Sequence, residues 1–325
     1  MLKVINALLA LIGGVGGTIL LFWVLNAIVE RLPEKTENRV KPYVFIGPAL
    51  VVVAIFLIYP AIRTIVLSFF DDSSENFVGL ENYVSIARDQ GFRSALFNNL
   101  LWLIVVPAVA VSLGLVIAVL ADRLKPRTEN VAKSVIFTPM AISAVGASTI
   151  WLFVYAWSPA GTDQIGLLNA IWTGLGGDPV SWLQVASFRI NSFLLMVLMI
   201  WTQTGFAMVL LSSAIKGIPE ETLEAARIDG ATEVQIFWRV QIPQITSTIA
   251  VVLTTIMINV LKVFDIVYVM TGGNFNTDVI ANRFIVELFD FRRFGRAAAV
   301  VVVLMLATIP VMIYNIRQFR AQEAR

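Results

Sequence analysis

The sequence predicts an all-α, polytopic membrane protein, and two observations carry that reading. Of its 325 residues 58% are hydrophobic and only 14% charged, with a mean hydropathy of +0.81, whereas a water-exposed surface needs more charge to stay dispersed. The apolar residues also gather into long runs. A run of about 20 helical residues spans a hydrocarbon core about 30 Å thick with every backbone hydrogen bond closed internally.

Seven segments meet that length, at residues 4–28, 44–69, 98–121, 135–157, 191–214, 245–269 and 297–316. The first is too long and too evenly apolar for a signal-peptide core and reads as a retained helix. Its Gly13-Gly14-Val15-Gly16-Gly17 run holds a G-x-x-x-G pattern suited to close helix packing. It reads as an addition: residues 1–43 form an N-terminal transmembrane helix with a cytoplasmic linker, and residues 44–325 form the main transmembrane domain. Two modest extracytoplasmic segments follow the second and fourth spans, at residues 71–97 and 158–190.

Charge sets the expected orientation. If the polar island around Glu224 is cytoplasmic, fourteen of the 24 Lys and Arg residues fall on that side and eight on the other. Arg31, Lys133, Arg239, Arg320 and Arg325 belong to the first group, and Lys3, Arg189 and Arg292 to the second. The excess predicts an outside N-terminus and a cytoplasmic C-terminus.

Several chemistries are excluded. The chain has no Cys and no His, which removes thiolate nucleophiles, imidazole bases and the commonest zinc sites. No G-x-x-x-x-G-K-[ST] occurs, so no P-loop on this chain cradles a nucleotide. Most acids stand singly in loops, and the chain reads as non-catalytic.

The polar island, residues 216–244, folds on local rules. Pro219 suits the start of a helix, Glu220 and Glu221 favour its positive end, and Gly230 supplies a left-handed stop. Thr232 and Gln235 resemble a capping box opening a second helix through Val240, after which Pro243 is expected to turn the chain into the membrane. Ala225 and Ala226 keep one face low, and Glu224 and Asp229 offer carboxylates to a basic partner. The island reads as a docking element, or as a solvated connector between two spans. A DNA-reading helix-turn-helix fits worse, because Glu220, Glu221, Glu224, Asp229 and Glu233 outnumber Lys216, Arg227 and Arg239. No nucleic-acid partner is expected.

Glu224-Ala225-Ala226, Asp229-Gly230-Ala231 and Ile242-Pro243 resemble the EAA loop of ABC importer permeases. The chain is similar to the carbohydrate branch of that family in four further places: Val78-Gly79-Leu80-Glu81-Asn82-Tyr83, Gly166-Leu167-Leu168-Asn169, Val263-Phe264-Asp265 leading to Met270-Thr271-Gly272-Gly273, and Phe294-Gly295-Arg296-Ala297-Ala298. Ile242-Pro243 replaces the more frequent Leu-Pro, and Thr246-Ser247-Thr248 stands where a second proline is common. Gly272-Gly273-Asn274 with Val279-Ile280-Ala281-Asn282-Arg283 looks most like the alpha-glucoside permeases. The resemblance covers about residues 44–320 and implies a six-helix permease core plus one extra helix.

It also implies partners. These are a second, related permease, two cytoplasmic ATPase subunits that hold ATP and Mg, an extracytoplasmic sugar-binding protein, a sugar and the lipid of the bacterial cytoplasmic membrane; no cofactor is expected on this chain. Glu224, Ala225, Ala226, Asp229, Gly230, Ile242 and Pro243 would couple to the ATPase. The resemblance to maltose-type permeases places Thr202, Gln203, Phe206, Ile256, Asn259, Val260, Val263 and Asp265 along the sugar path. Asn259, Gln203 and Asp265 can meet hydroxyls and Phe206 a ring face, while Ile256, Val260 and Val263 either line the wall or pack it. Lys262 and Asp265, three residues apart in a span, either neutralise one another or serve transport. An ABC permease for a non-sugar solute and an ion-coupled secondary transporter using Lys262, Asp265 and Arg63 stay open.

Overall fold

A computed structural model describes residues 2–323. Arg325 lies outside the described residues, as do the side chains of Lys3 and Arg320. Among the described residues the chain is helical with no strand, and six helices are long and apolar enough to cross a membrane. A seventh span is a pair of helices bent by 102°.

Residues 1–66 form one compact unit. Helix α1 (Leu2–Val29) covers the first expected span, and α2 (Glu34–Val53) begins ten residues before the second, so most of the expected linker is helical. A π turn, Ala54–Ile58, joins α2 to α3 (Tyr59–Leu67) without a break. Pro60 follows that turn, and its ring would clash with the carbonyl four residues back in a regular helix. The wider π turn relieves the clash. Phe22 stacks on Phe45, ring centroids 5.9 Å apart, between the two helices of this unit.

Residues 67–325 form the second unit. After α4 (Glu81–Arg88), α5 (Gln90–Ala121) runs about 48 Å and packs along α9 (Ile190–Lys216). The two run parallel, because Asn98 near the start of α5 bonds Arg189 at the start of α9, and Asp122 after α5 meets Ser212 near the end of α9. Gly114 permits this approach: a Cβ there would lie 2.6 Å from Ala207 Cβ and 2.8 Å from the Met208 amide nitrogen. Trp102, Val106, Ala110, Leu195, Leu198 and Met208 fill the interior of the pair.

The expected straight span at residues 135–157 is broken. Helix α6 (Pro126–Phe137) passes into a 3-10 turn, Thr138–Ala141, and α7 (Ala144–Val154) departs after the 102° bend. Pro139 has no N–H to continue the ladder, and Ser143 caps α7 by accepting the Gly146 amide at 3.1 Å. The elbow rests on α9 at Gly205, where a Cβ would lie 2.5 Å from the Ile136 carbonyl oxygen.

Helix α8 (Leu167–Gly174) lies in the second loop. Beyond α9, α10 (Glu220–Ile228) and α11 (Glu233–Ile236) form the polar island, and α11 passes through a π turn, Phe237–Gln241, into α12 (Ile242–Leu261). Pro243 therefore does not turn the chain, because the π turn absorbs its missing donor within one continuous rod. The expected span at 245–269 ends at Leu261, and α13 (Asp265–Thr271) is separate. Lys262 has φ −97° and ψ 8°, and Phe264 φ −139° and ψ −59°. Branched Val263 and aromatic Phe264 are weak helix formers at this break. Helix α14 (Ile280–Ile285), a π turn Val286–Asp290 and α15 (Phe294–Glu323) complete the chain.

The sequence motifs beyond the polar island prove to be clasps. Asn82 donates to the Ser68 and Phe70 carbonyls at 2.9 and 2.7 Å, and Gly295 lets that strap cross, since a Cβ there would lie 2.1 Å from the Phe70 oxygen. Asn169 donates to the Ala156 and Val180 carbonyls and accepts from the Val180 amide and Trp182 Nε1, all within 3.0 Å. Arg296 bonds buried Glu287 at 3.0 Å, Ser85 at 2.7 Å and Asp89. Asp89 caps α5 through the Phe92 amide at 3.0 Å. Burial pushes its carboxyl up, but the Phe92 amide, Arg283 and Arg296 outweigh burial and hold it below its ordinary value of 3.8. The resulting stabilisation is present above that value and is lost as pH falls through the depressed one.

Gly114→Leu is expected to destabilise the second unit by about 1–3 kcal/mol or more, because the added side chain meets backbone. Thermal unfolding of detergent-purified protein reads the effect; an unchanged melting temperature would show that α5 and α9 are not held this closely.

Candidate functional site

The polar island is built on two rules, one at each end. Helix α10 starts after Pro219 with Glu220 and Glu221 in its first turn, and Gly230 at φ +80° reverses the chain. Thr232 and Gln235 form a complete capping box at the start of α11. Arg227 Nε donates to Glu233 Oε1 at 3.0 Å across the reversal and clips α10 to α11. That hydrogen bond holds the Glu233 carboxyl below its ordinary range and raises Arg227.

Glu224, Ala225, Asp229 and Gly230 are exposed, and Ala226 is half-buried. Nothing lies within 4 Å of a Cβ placed on Gly230, so the reversal stands free. Ile242, half-buried, packs with Leu223 against the core, while Pro243 is exposed. Beside them stand three bare apolar side chains: Ile228 at 86% exposure, Val234 at 68% and Trp238 at 62%. The sequence reading passed over these three, although apolar residues in so polar a segment are themselves the signal of a contact surface.

Behind the island a charged cluster holds the island-side ends of three helices together. Lys133 of α6 donates to Asp122 at 3.0 Å, to Glu129 at 2.5 Å and to Ser212 of α9. Ser212 donates to Asp122 at 2.9 Å, and Lys216, the last residue of α9, pairs with Glu129. Glu129 and Lys133 are largely buried. Only Gly217, Ile218 and Pro219 separate Lys216 from α10, so the cluster grips the stem of the island. Within it only the Glu129–Lys133 contact has helical i,i+4 spacing; the hydrogen bonds that bring in Asp122, Ser212 and Lys216 join residues 11 to 90 apart, which sequence reading missed.

The path residues separate into an inner and an outer set. Ile256, Val260 and Val263 are buried in the core cluster. Asn259 and Asp265 are exposed, and Thr202, Gln203 and Phe206 are half-buried on α9 beside the Gly205 elbow. Asn259 is thus exposed where Ile256 and Val260 of the same helix are buried, and Val263 lies beyond the helix. Thr202 donates to the Met199 carbonyl at 3.0 Å, while Gln203 Oε1 is buried without a partner. Lys262 and Asp265 do not pair: both are exposed, the helix ends between them, and no ion pair joins them among the described residues. No metal-binding cluster of acids occurs among the described residues.

This geometry has known counterparts. A family model described as "Binding-protein-dependent transport system inner membrane component" matches residues 110–321. An osmoprotective compounds uptake permease protein of Synechocystis sp. is 58% identical over 86% of this chain and 99% of its own. An alpha-glucoside transport system permease protein of Rhizobium meliloti is 47% identical over 97% of each. Among solved structures, a bacterial ABC transporter that imports the acidic polysaccharide alginate superposes with a TM-score of 0.74 at 22% identity, covering 88% of this chain and 99% of the other. The last likeness concerns the fold.

Lys133→Met should destabilise the protein by about 1–3 kcal/mol, since it leaves two carboxylates, Asp122 and Glu129, to the single cation Lys216. Pairing it with Glu129→Gln should recover part of the loss. Thermal unfolding of these two variants and of Glu129→Gln alone tests the cluster; a loss in the double variant equal to the sum of the two single losses would mean that the charges are independent.

Proposed function

The chain belongs to the family of inner membrane components of binding-protein-dependent transport systems, and from that premise we propose that it is the permease subunit of an ATP-driven importer carrying a sugar, an alpha-glucoside or related disaccharide. The exposed, rigidly clipped island carries this reading. A surface that must transmit force needs a short, capped helix fixed to its spans, with bare apolar contacts for the partner. Ile228, Val234 and Trp238 offer that contact area, and Glu224 and Asp229 the charge. Two ATPase subunits would bind ATP and Mg beneath this chain and a second permease. The island would be cytoplasmic, the N-terminus outside, and residues 1–43 an addition to the permease domain at 44–325.

The relatives named for alpha-glucoside, trehalose/maltose and lactose transport support a sugar as cargo. The relative named for osmoprotective compounds favours a second reading, a compatible solute. Gln203 and Asn259 supply amide chemistry for hydroxyls, with Phe206 nearby for a ring face.

Reconstituted with its partner permease, ATPase and binding protein, the chain should support ATP-dependent accumulation of a labelled alpha-linked disaccharide in liposomes; alone it should support none. Accumulation by the chain alone would overturn the subunit reading, and competition by an osmoprotective solute but not by disaccharides would select the second cargo. Glu224→Arg and Gly230→Leu should abolish uptake while the complex still binds its solute-binding protein, because one reverses charge and the other forbids the left-handed turn. Normal uptake in both would remove the island from coupling.

Gln203→Leu and Asn259→Leu should reduce uptake per assembled complex by about 5- to 100-fold, the loss of an interaction of about 1–3 kcal/mol. Unchanged uptake would take these amides out of the path.

A further inference from the structure

At the end of α5 and α9 remote from the island lies an open cavity of about 780 Å³ lined by Gln90, Arg93, Ser94, Phe97, Arg189 and Asn276. Arg189 is fixed in its wall. Its guanidinium donates to Asn98, to the Asn276 carbonyl at 3.2 Å and to Ser94 at 3.3 Å, and lies over the Phe97 ring, 4.7 Å from the centroid. Every one of these partners is neutral. Arg93 beside it is exposed and has no carboxylate within 4 Å among the described residues. At this end Arg283, Arg293 and Arg296 each meet at least one of Asp72, Asp89, Asp278 and Glu287, whereas exposed Arg88 and Arg292, like Arg93, form no ion pair among the described residues. What sets Arg189 and Arg93 apart is that both guanidinium groups line one concavity without a carboxylate partner.

The backbone around the cavity is held in place at a cost. Phe188 and Arg189 are consecutive left-handed residues at φ 52° and 57°, and Phe275 and Asn276, across the cavity wall, are another pair at 56° and 62°. Such conformations are unfavourable for residues with a Cβ and persist where surrounding contacts enforce them. Here Asn98 enforces them, donating to the Asn276 and Asp278 carbonyls at 2.7 Å each, and Asn191 donates to the Phe275 carbonyl at 2.8 Å. Phe188 itself is 92% exposed, at the foot of Arg189.

A rigid concavity with two unpaired guanidinium groups, a hydroxyl, a carboxamide and an exposed phenyl ring beside it suits a planar anion carried on a larger surface. We propose that it receives a carboxylate side chain of the extracytoplasmic solute-binding protein, Arg189 supplying the fixed fork and Arg93 the mobile charge. The inference rests on the importer reading, which places this end outside and gives it that partner. Docking there engages α5, α9 and the loop before α14 together, the first two of which end at the charged cluster behind the island.

The test is stimulation of ATP hydrolysis by the solute-loaded binding protein, titrated against the assembled complex in nanodiscs at low and at about 0.5 M salt. Arg93→Glu, on an exposed side chain, should raise the half-saturating concentration of binding protein by about tenfold or more at low salt, with the maximal rate recovered at saturation and the difference shrinking at high salt. Arg189→Gln should raise it as well. A half-saturating concentration within twofold of wild type in both variants would overturn the assignment while leaving the importer reading intact. Absence of stimulation in the wild-type complex would overturn both. Sub-millimolar binding of citrate to the complex without binding protein, lost in Arg93→Glu, would make the cavity a small-anion site and overturn the docking role.

Discussion

The parallel packing of α5 on α9 is the constraint on which the rest of the second unit depends. Two long helices lie in contact with a glycine at their closest approach, and their apolar interior is dry and close-packed. In a bilayer, apolar side chains gain little by leaving lipid, so close packing and polar clasps must hold such a pair in register. Both are present. Asn98 and Arg189 tie the ends remote from the island through the loop before α14, and Asp122, Lys133 and Ser212 tie the island-side ends through α6. A sliding motion of one helix past the other would break both sets at once, so the pair moves as a body.

That rigidity explains where the flexible geometry has been put. The 102° break between α6 and α7, the separation of α12 from α13 and the three π turns all lie outside the α5–α9 pair. Two of the π turns immediately precede a proline, Pro60 and Pro243, and each keeps a rod continuous where a regular helix would kink. At Pro243, α11 and α12 thereby form one continuous rod leading away from the island.

The spans were legible in the sequence because hydrocarbon imposes one length and one composition, and the island was legible because capping chemistry is local. Pro219, Gly230, Thr232 and Gln235 each act on backbone within three or four residues. What escaped reading depends on distance. The break after Leu261 has no Gly or Pro to mark it, so Lys262 and Asp265 passed for an in-helix pair. Thr138-Pro139 did mark the other break, yet a single proline within an apolar run also fits a mild kink, as Pro107 and Pro310 do inside α5 and α15. Apart from the i,i+4 pairs Glu129–Lys133 and Arg283–Glu287, the charged cluster and the clasps at the far end join residues scattered across the chain, and no spacing rule finds those contacts.

The clasps also narrow the search for cargo chemistry. A polar side chain in or beside a span invites reading as a ligand contact, but Asn98 and Asn191, like Asn82 and Asn169 in the loops, spend their donors on backbone carbonyls, and Asn99 accepts the Ile280 amide at 2.7 Å. Such pairing is what a buried amide requires, and a ligand would have to break it. Among the described residues, buried side-chain atoms without a partner include Asn99 Nδ2, Trp102 Nε1, Ser192 Oγ and Gln203 Oε1, the last beside the elbow at Gly205, and Asn259 stands exposed on α12. An unpartnered buried carbonyl costs about 1–3 kcal/mol until something donates to it. Ile256 and Val260 anchor α12 in the core cluster and leave the Asn259 carboxamide exposed.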